Sequence, residues 1–275
     1  MINVVYHGPA CADGFAAAWV INQAFQEDLN FFPTNYNDPF PKLEDGPVFI
    51  LDFSFPRDTM LDLLSERQVV CLDHHKTAQA TLSDIPVDLM SKNNSTIIFD
   101  MTKCGSVLTW EYFFSGQKLP TLLEYIQDRD LWKWKLPYSR EISAALDLTE
   151  RNFLAWKWFN DSLSNENGHN DIVVGGTTIL KYIQQKVKSL AEKAEFDTYG
   201  GYIVKSVNSP LWQSEIGEAI CVMNPDIAFS AVYFMKGNEK IVSLRTKTDF
   251  DVSAIAAKYG GGGHAAAAGF TLKLG

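Results

Sequence analysis

Val69-Val70-Cys71-Leu72-Asp73-His74-His75 is an aliphatic run that ends at once in a carboxylate and two imidazoles. So short and continuous an apolar run fits a strand buried on both faces, as in parallel sheets covered by helices. The same grammar occurs twice upstream. Ile2 to Tyr6 runs into His7-Gly8-Pro9-Ala10-Cys11-Ala12-Asp13-Gly14, and Val48-Phe49-Ile50-Leu51 runs into Asp52. Phe15, Ala18, Trp19, Ile21, Ala24 and Phe25 fall at helical spacing, and Asn30 to Thr34 reads as a strand. Thr96 to Phe99 is a further short strand. Helices are predicted over 58–67, 105–114 and 119–127, the last delivering Asp128 at its end. Strands alternating with helices predict an α/β fold with a parallel sheet. In such sheets ligands lie outside the carboxyl ends of the strands, where these acids and histidines fall.

Ser162 to Gly176 is polar and rich in Gly and Asn, and reads as the end of this first domain. An amphipathic helix over about 178–195 follows as a connector. The remainder is richer in strands, near 228–233, 240–245 and 270–274, with helices over 214–223 and 252–259. The expected organisation is a parallel-sheet domain over 1–165, a helical linker over 166–197 and a smaller α/β domain over 198–275.

Composition narrows the function. At 275 residues there is material for one large or two modest domains, and 46% hydrophobic with 21% charged residues excludes wholesale disorder. The 33 acidic against 24 basic residues, net −9, argue against holding a long duplex by phosphate neutralisation. A small anionic ligand stays compatible, because a bound cation reverses the charge locally. Cys11, Cys71, Cys104 and Cys221 are too scattered for a disulfide scaffold. With no basic, apolar leader and no run of about 18 apolar residues, a cytoplasmic chain with no membrane partner is expected.

Taken singly, Asp13 reads as a helix N-cap, and Asp52 and Asp128 as capping or turn residues. Taken together, the strand-end positions bring His7, Cys11, Asp13, Asp52, Asp73, His74, His75 and Asp128 to one sheet edge. So many anionic groups are costly without cations. Two divalent ions ~3.5–4 Å apart, bridged by a carboxylate, would relieve that cost and activate water near neutral pH. Far downstream, Gly260-Gly261-Gly262-Gly263-His264 offers backbone amides to an anion, and Arg245 adds a guanidinium suited to phosphate. Trp132, Trp134, Trp156 and Trp158, interleaved with Lys133, Lys135 and Lys157, could stack bases, although packing at the core rim is the simpler reading.

These pieces in this order resemble the DHH phosphoesterase superfamily with its DHH-associated C-terminal domain. That superfamily includes RecJ-type exonucleases, nanoRNases, pAp phosphatases and dinucleotide phosphodiesterases. The resemblance implies an enzyme that hydrolyses short oligonucleotides to mononucleotides with metal-activated water, using two Mn2+ ions. Position by position, it implies one metal near His7, Cys11 and Asp52. A second would be held by Asp13, Asp52, His74 and Asp128, with Asp52 bridging. Asp73 and His75 would be the catalytic pair, His75 facing the scissile phosphate and Asp73 orienting the histidines or the water. Arg245, Gly261, Gly262, Gly263 and His264 would clamp the substrate.

Cys11 stands where the family commonly has Asp. Its softer thiolate points to Zn, Fe or Co as alternatives at that position. The expected partner is a short single-stranded oligonucleotide of about two to five residues, or a small nucleotide, given the scarcity of basic groups. A pAp phosphatase or a linear or cyclic dinucleotide phosphodiesterase is the alternative activity. A nucleotide-binding protein without turnover is the alternative class.

Overall fold

A computed structural model describes residues 1–25, 28–36 and 38–274, and the chain divides into two compact units, 1–180 and 181–275. In the first unit, β1 (Ile2–His7) is followed by α1 (Ala12–Ala24) and β2 (Leu29–Thr34). Next come β3 (Val48–Leu51), α2 (Arg57–Glu66), β4 (Val69–Asp73), α3 (Lys76–Leu82), α4 (Val87–Lys92) and β5 (Thr96–Phe99). Five helices then follow: α5 (Gly105–Phe113), α6 (Thr121–Asp130), α7 (Ser139–Asp147), α8 (Phe153–Leu163) and α9 (Glu166–Ala191).

The sheet order is β2-β1-β3-β4-β5 and every pairing is parallel. Strands β3 and β4 are buried along their whole length, which is why their sequences do not alternate. Apolar clusters cover both faces of the sheet. One is built on Val4, Leu51 and Leu72 with α1, and the other on Val5, Ile50 and Cys71 with α2. Residues 13–21 of α1 are all buried, which explains a helix with no polar side.

Register positions the chemistry. Tyr6 lies opposite Leu51, and Leu51 opposite Leu72, so the next residues on the three strands, His7, Asp52 and Asp73, emerge side by side. The chain reverses its direction of growth between β1 and β3, the switch point where doubly wound sheets open a crevice.

Two expectations are corrected. The helix expected over about 178–195 begins earlier, at Glu166, and takes in most of the polar stretch 162–176. The Asn165 side chain accepts from Gly168 N at 2.8 Å, capping the helix start, and Ile172 and Val173 pack on the core of the first unit. The boundary between the units, at Leu180 and Lys181, therefore falls inside α9. The second correction concerns α6, which runs on to Asp130 instead of ending before Asp128.

The second unit adds β6 (Glu195–Tyr199), β7 (Tyr202–Asn208), α10 (Gln213–Met223), β8 (Ser230–Lys236), β9 (Glu239–Arg245), α11 (Val252–Ala257), β10 (Gly262–Gly263) and β11 (Ala267–Lys273). Its mixed sheet has the order β10-β11-β9-β8-β7-β6, with β7 and β8 parallel across α10. Tyr199, Val204, Phe229, Leu244, Ile255 and Phe270 fill one face, and Val187, Val207, Ile216, Ile220 and Val232 the other.

Candidate metal centre

Asp52 is the hub of the strand-end cluster. Its backbone is left-handed (φ 54°), and its carboxylate is buried. Oδ1 lies 3.0 Å from His74 Nε2, whereas Oδ2 lies 3.3 Å from Cys11 Sγ and 3.5 Å from His7 Nδ1. The two oxygens thus face two different donor sets. The ligand atoms of His7, Cys11 and Asp52 all lie within 4.8 Å of one another, and so do those of Asp13, Asp52 and His74. A non-glycine residue in a left-handed conformation costs roughly 1–3 kcal/mol, and such strain concentrates at functional sites.

Asp13 reaches the cluster from the first turn of α1. Its carboxylate is gripped at both oxygens by the start of α5, accepting from Gly105 N at 2.6 Å and Ser106 N at 2.9 Å. Gly105 also has to be glycine: a Cβ there would stand 2.5 Å from Asp52 Cβ. Asp13 Oδ2 lies 3.8 Å from His74 Nε2. Asp73 uses one oxygen, Oδ1, to accept from His74 N at 2.7 Å and His75 N at 3.2 Å, and to hold His75 Nδ1 at 2.7 Å. Its other oxygen is buried without a hydrogen-bond partner.

The structure separates Asp128 from this cluster. Its carboxylate accepts from Lys135 N at 2.9 Å and Leu136 N at 3.2 Å, so it clasps the turn after α6. Asp130, two residues on, takes the place expected of it. Asp130 Oδ2 stands 3.5 Å from His74 Nε2, is buried, and makes no hydrogen bond.

The charges show why cations suit this pocket. Burial, and then Asp52 and Asp130, push the Asp13 carboxyl well above the usual range; burial raises that of Asp130. Burial followed by Asp52 and Asp13 raises the Cys11 thiol. Burial also opposes ionisation of Asp52, but hydrogen bonds from His7 and His74 outweigh it and hold Asp52 well below. His74 is raised to about 10, its burial overcome by the bond to Asp52 and by Asp130 and Asp13. Carboxylates, imidazoles and a thiol facing inward, with lone pairs of Asp73 and Asp130 unused, make a donor set that fits divalent ions.

A pH dependence follows. In the metal-free protein the ionic stabilisation by His74 is complete below its unfolded value of about 6.5 and is lost as pH rises through the folded value. Thermal melts of chelator-treated protein should therefore show a falling melting temperature from neutral pH towards about 10. A melting temperature that rises across that interval would remove His74 as the holder of the proton.

In the second unit, Arg245 is held by its neighbours without an acidic partner within ion-pair distance among the described residues. Nη2 donates to Ser214 Oγ at 2.7 Å and Nη1 to Leu244 O at 2.7 Å. Burial lowers its pKa to about 10, opposed by Glu215. The glycine run has a structural explanation of its own. Gly262 and Gly263 form β10 against Gly269 and Ala268, and a Cβ at Gly261 would stand 2.1 Å from Gly269 O. His264 N donates to Ala267 O at 2.8 Å, closing the turn.

Of the tryptophans, Trp156 is fully buried and Trp158 is 63% exposed. Trp132 and Trp134 pack edge to face at 5.0 Å with Arg140 over Trp134 at 4.3 Å. Two features escaped the sequence reading. One is the amide cradle of Gly105 and Ser106, and the other is Tyr36, whose ring lies 5.6 Å from His7 and 5.9 Å from His75. No motif marks either.

Comparison with known proteins agrees with this architecture. A family model for the DHHA1 domain matches residues 200–275. An uncharacterized protein of Acanthamoeba polyphaga mimivirus is 31% identical over 98% of this chain and 67% of its own length. Oligoribonuclease NrnB of Bacillus subtilis is 25% identical over 74% of this chain and 53% of its own length. The chain thus spans two thirds and about half of these relatives. A solved DHH domain from the s1p family of ribosomal proteins superposes with a TM-score of 0.51 over 99% of this chain and 82% of that one; at 13% identity it speaks for the fold alone. With a parallel sheet that ends in Asp73-His74-His75 and a DHHA1 domain behind it, the chain belongs to the DHH phosphoesterase superfamily, in the branch that carries the DHH-associated C-terminal domain.

Proposed function

We propose that this protein is a metal-dependent phosphodiesterase that hydrolyses short oligonucleotides to mononucleotides. The observation that carries the reading is the division of the Asp52 carboxylate, Oδ1 towards His74 and Oδ2 towards Cys11 and His7. His7, Cys11 and Asp52 would hold one divalent ion, and Asp13, Asp52, His74 and Asp130 the other. When bound, such ions supply Lewis acidity that lowers the pKa of water and offsets phosphoryl charge.

The chain's own groups supply the rest. Asp73 fixes the ring of His75 through Nδ1, and its charge raises the His75 pKa against burial. The protonated form of His75 is favoured by that charge, and in it Nε2 would donate to a non-bridging phosphoryl oxygen. The Gly105 and Ser106 amides keep Asp13 in position, so its orientation is set before substrate arrives. Arg245, a cation without a carboxylate partner within ion-pair distance among the described residues, is assigned to a phosphate of the substrate, and Gly261, Gly262, Gly263 and His264 would line the same site. The similarity to an oligoribonuclease, and a net charge of −9 that disfavours long phosphate tracks, support a short substrate.

The test is a manganese-supplemented panel of a dinucleotide, an RNA of about five nucleotides, a strand of about twenty-four, pAp and pyrophosphate. Mononucleotides released from the short oligomers, with the long strand spared, is the expected result. Cleavage of pAp alone would make the protein a nucleotide phosphatase. Binding without hydrolysis under any divalent ion would overturn the catalytic reading.

A further inference from the structure

We infer that the two cation positions are chemically unequal, so that the working centre pairs a borderline ion such as Zn2+ beside Cys11 with an oxygen-seeking ion such as Mn2+ beside Asp13. This rests on the two-cation reading above and adds which ion each position selects. The first position offers one sulfur, one nitrogen and one oxygen: Cys11 Sγ, His7 Nδ1 and Asp52 Oδ2. Sγ and Nδ1 stand 3.3 and 3.5 Å from that oxygen. Bonds of about 2.0–2.3 Å in a tetrahedral zinc site imply ligand-to-ligand edges of roughly 3.3–3.7 Å, which these separations match. A thiolate favours zinc, iron or cobalt, and suits manganese and magnesium poorly.

The second position is different in kind. It offers carboxylates from Asp13, Asp52 and Asp130 around a single nitrogen, His74 Nε2, at 3.8, 3.0 and 3.5 Å. An oxygen-rich set of this kind is the ligand chemistry of manganese and magnesium.

The thiol is also held in place. Cys11 caps α1, with Gly14 N donating to Sγ at 3.4 Å, and Arg151 Nη2 donates to the preceding carbonyl, Ala10 O, at 3.2 Å. Its side chain is therefore oriented towards Asp52 before an ion arrives. Cys71 and Cys221 are buried away from the His7–Asp52 donor set, and Cys104, buried beside Asp13, also lies outside it.

The full chain, stripped with a chelator, is titrated with Co2+ and separately equilibrated with equal Zn2+ and Mn2+. The expected results are a thiolate-to-cobalt charge-transfer band that saturates at one equivalent, and retention of one zinc and one manganese per chain. In Cys11→Asp the band should vanish, and zinc retention relative to manganese should fall at least about tenfold, since outer-shell changes alone cost ~10–100-fold. Two manganese ions in the wild type, or a band that survives in Cys11→Asp, would overturn the inference. The wild-type spectrum decides the matter even where the variant fails to fold. Oligonucleotide hydrolysis is read separately. Turnover with no thiolate band sinks the unequal sites alone, whereas a one-zinc, one-manganese centre without turnover sinks the phosphodiesterase reading alone.

Discussion

Asp52→Asn should yield a folded chain whose hydrolysis of a short oligonucleotide is reduced by at least ~10³-fold. Asparagine preserves the volume and is among the residues that tolerate a left-handed backbone, so the turn at φ 54° and the tight packing against Gly105 survive the change. What disappears is a charge that serves both donor sets: one oxygen faces His74, and the other faces Cys11 and His7. An amide is neutral and has a single acceptor oxygen, so both sets lose the anionic charge and one of them faces an N–H in its place. If this loss removes about 4 kcal/mol of charge stabilisation, a modest share of what metal ions contribute, the rate falls ~10³-fold. Circular dichroism and a melting curve establish folding, and initial rates establish the loss. A folded Asp52→Asn protein within about tenfold of wild type would remove Asp52 as the bridge.

The strand ends were legible because two simple rules coincide there. Runs such as Val48–Leu51 and Val69–Leu72 have no polar alternation, which marks buried parallel strands, and the residue that follows such a run lies at the ligand edge of the sheet. His7, Asp52, Asp73, His74 and His75 are assigned to that edge in this way, and the register places the first three side by side. Helices offer no such guide to direction. Asp128 and Asp130 sit two residues apart at the end of α6, so an error of two or three residues in the helix end exchanges an acid that faces His74 for one that clasps the following turn. The Gly105 and Ser106 amides were invisible for another reason. They meet Asp13 across more than ninety residues of chain, through backbone groups that every sequence possesses. The stretch 162–176 misled through composition, since its Asn and Gly residues put the expected helix start near 178 while Asn165 serves as a cap and Ile172 and Val173 as core.

Asp128 and Asp130 make opposite predictions, and the pair separates ligand from clasp. Asp130→Asn should reduce hydrolysis at least ~10²-fold, the scale on which loss of one electrostatic partner is felt in an active site. The same change should leave the metal-free protein as stable as wild type or more so at neutral pH. The reason is the sign of the shift: burial raises the Asp130 pKa, so its ionised form is disfavoured by folding and its charge is a liability until a cation arrives. Asp128→Asn should do the reverse. Its carboxylate accepts from two backbone amides, Lys135 N and Leu136 N, and an amide there keeps at most one of its former acceptor atoms. Weakening that charge-assisted clasp should cost roughly 1–3 kcal/mol of stability, while the rate at a temperature where the variant remains folded falls much less than in Asp130→Asn. Melting temperatures of chelator-treated proteins and initial rates with manganese, measured on both variants, give four numbers. Equal loss of activity in the two variants would mean that the turn after α6, and not the Asp130 carboxylate, governs the site. The difference matters because Trp132 and Trp134 lie in that turn, both in left-handed conformations, and Asp128 is what holds its amides in place.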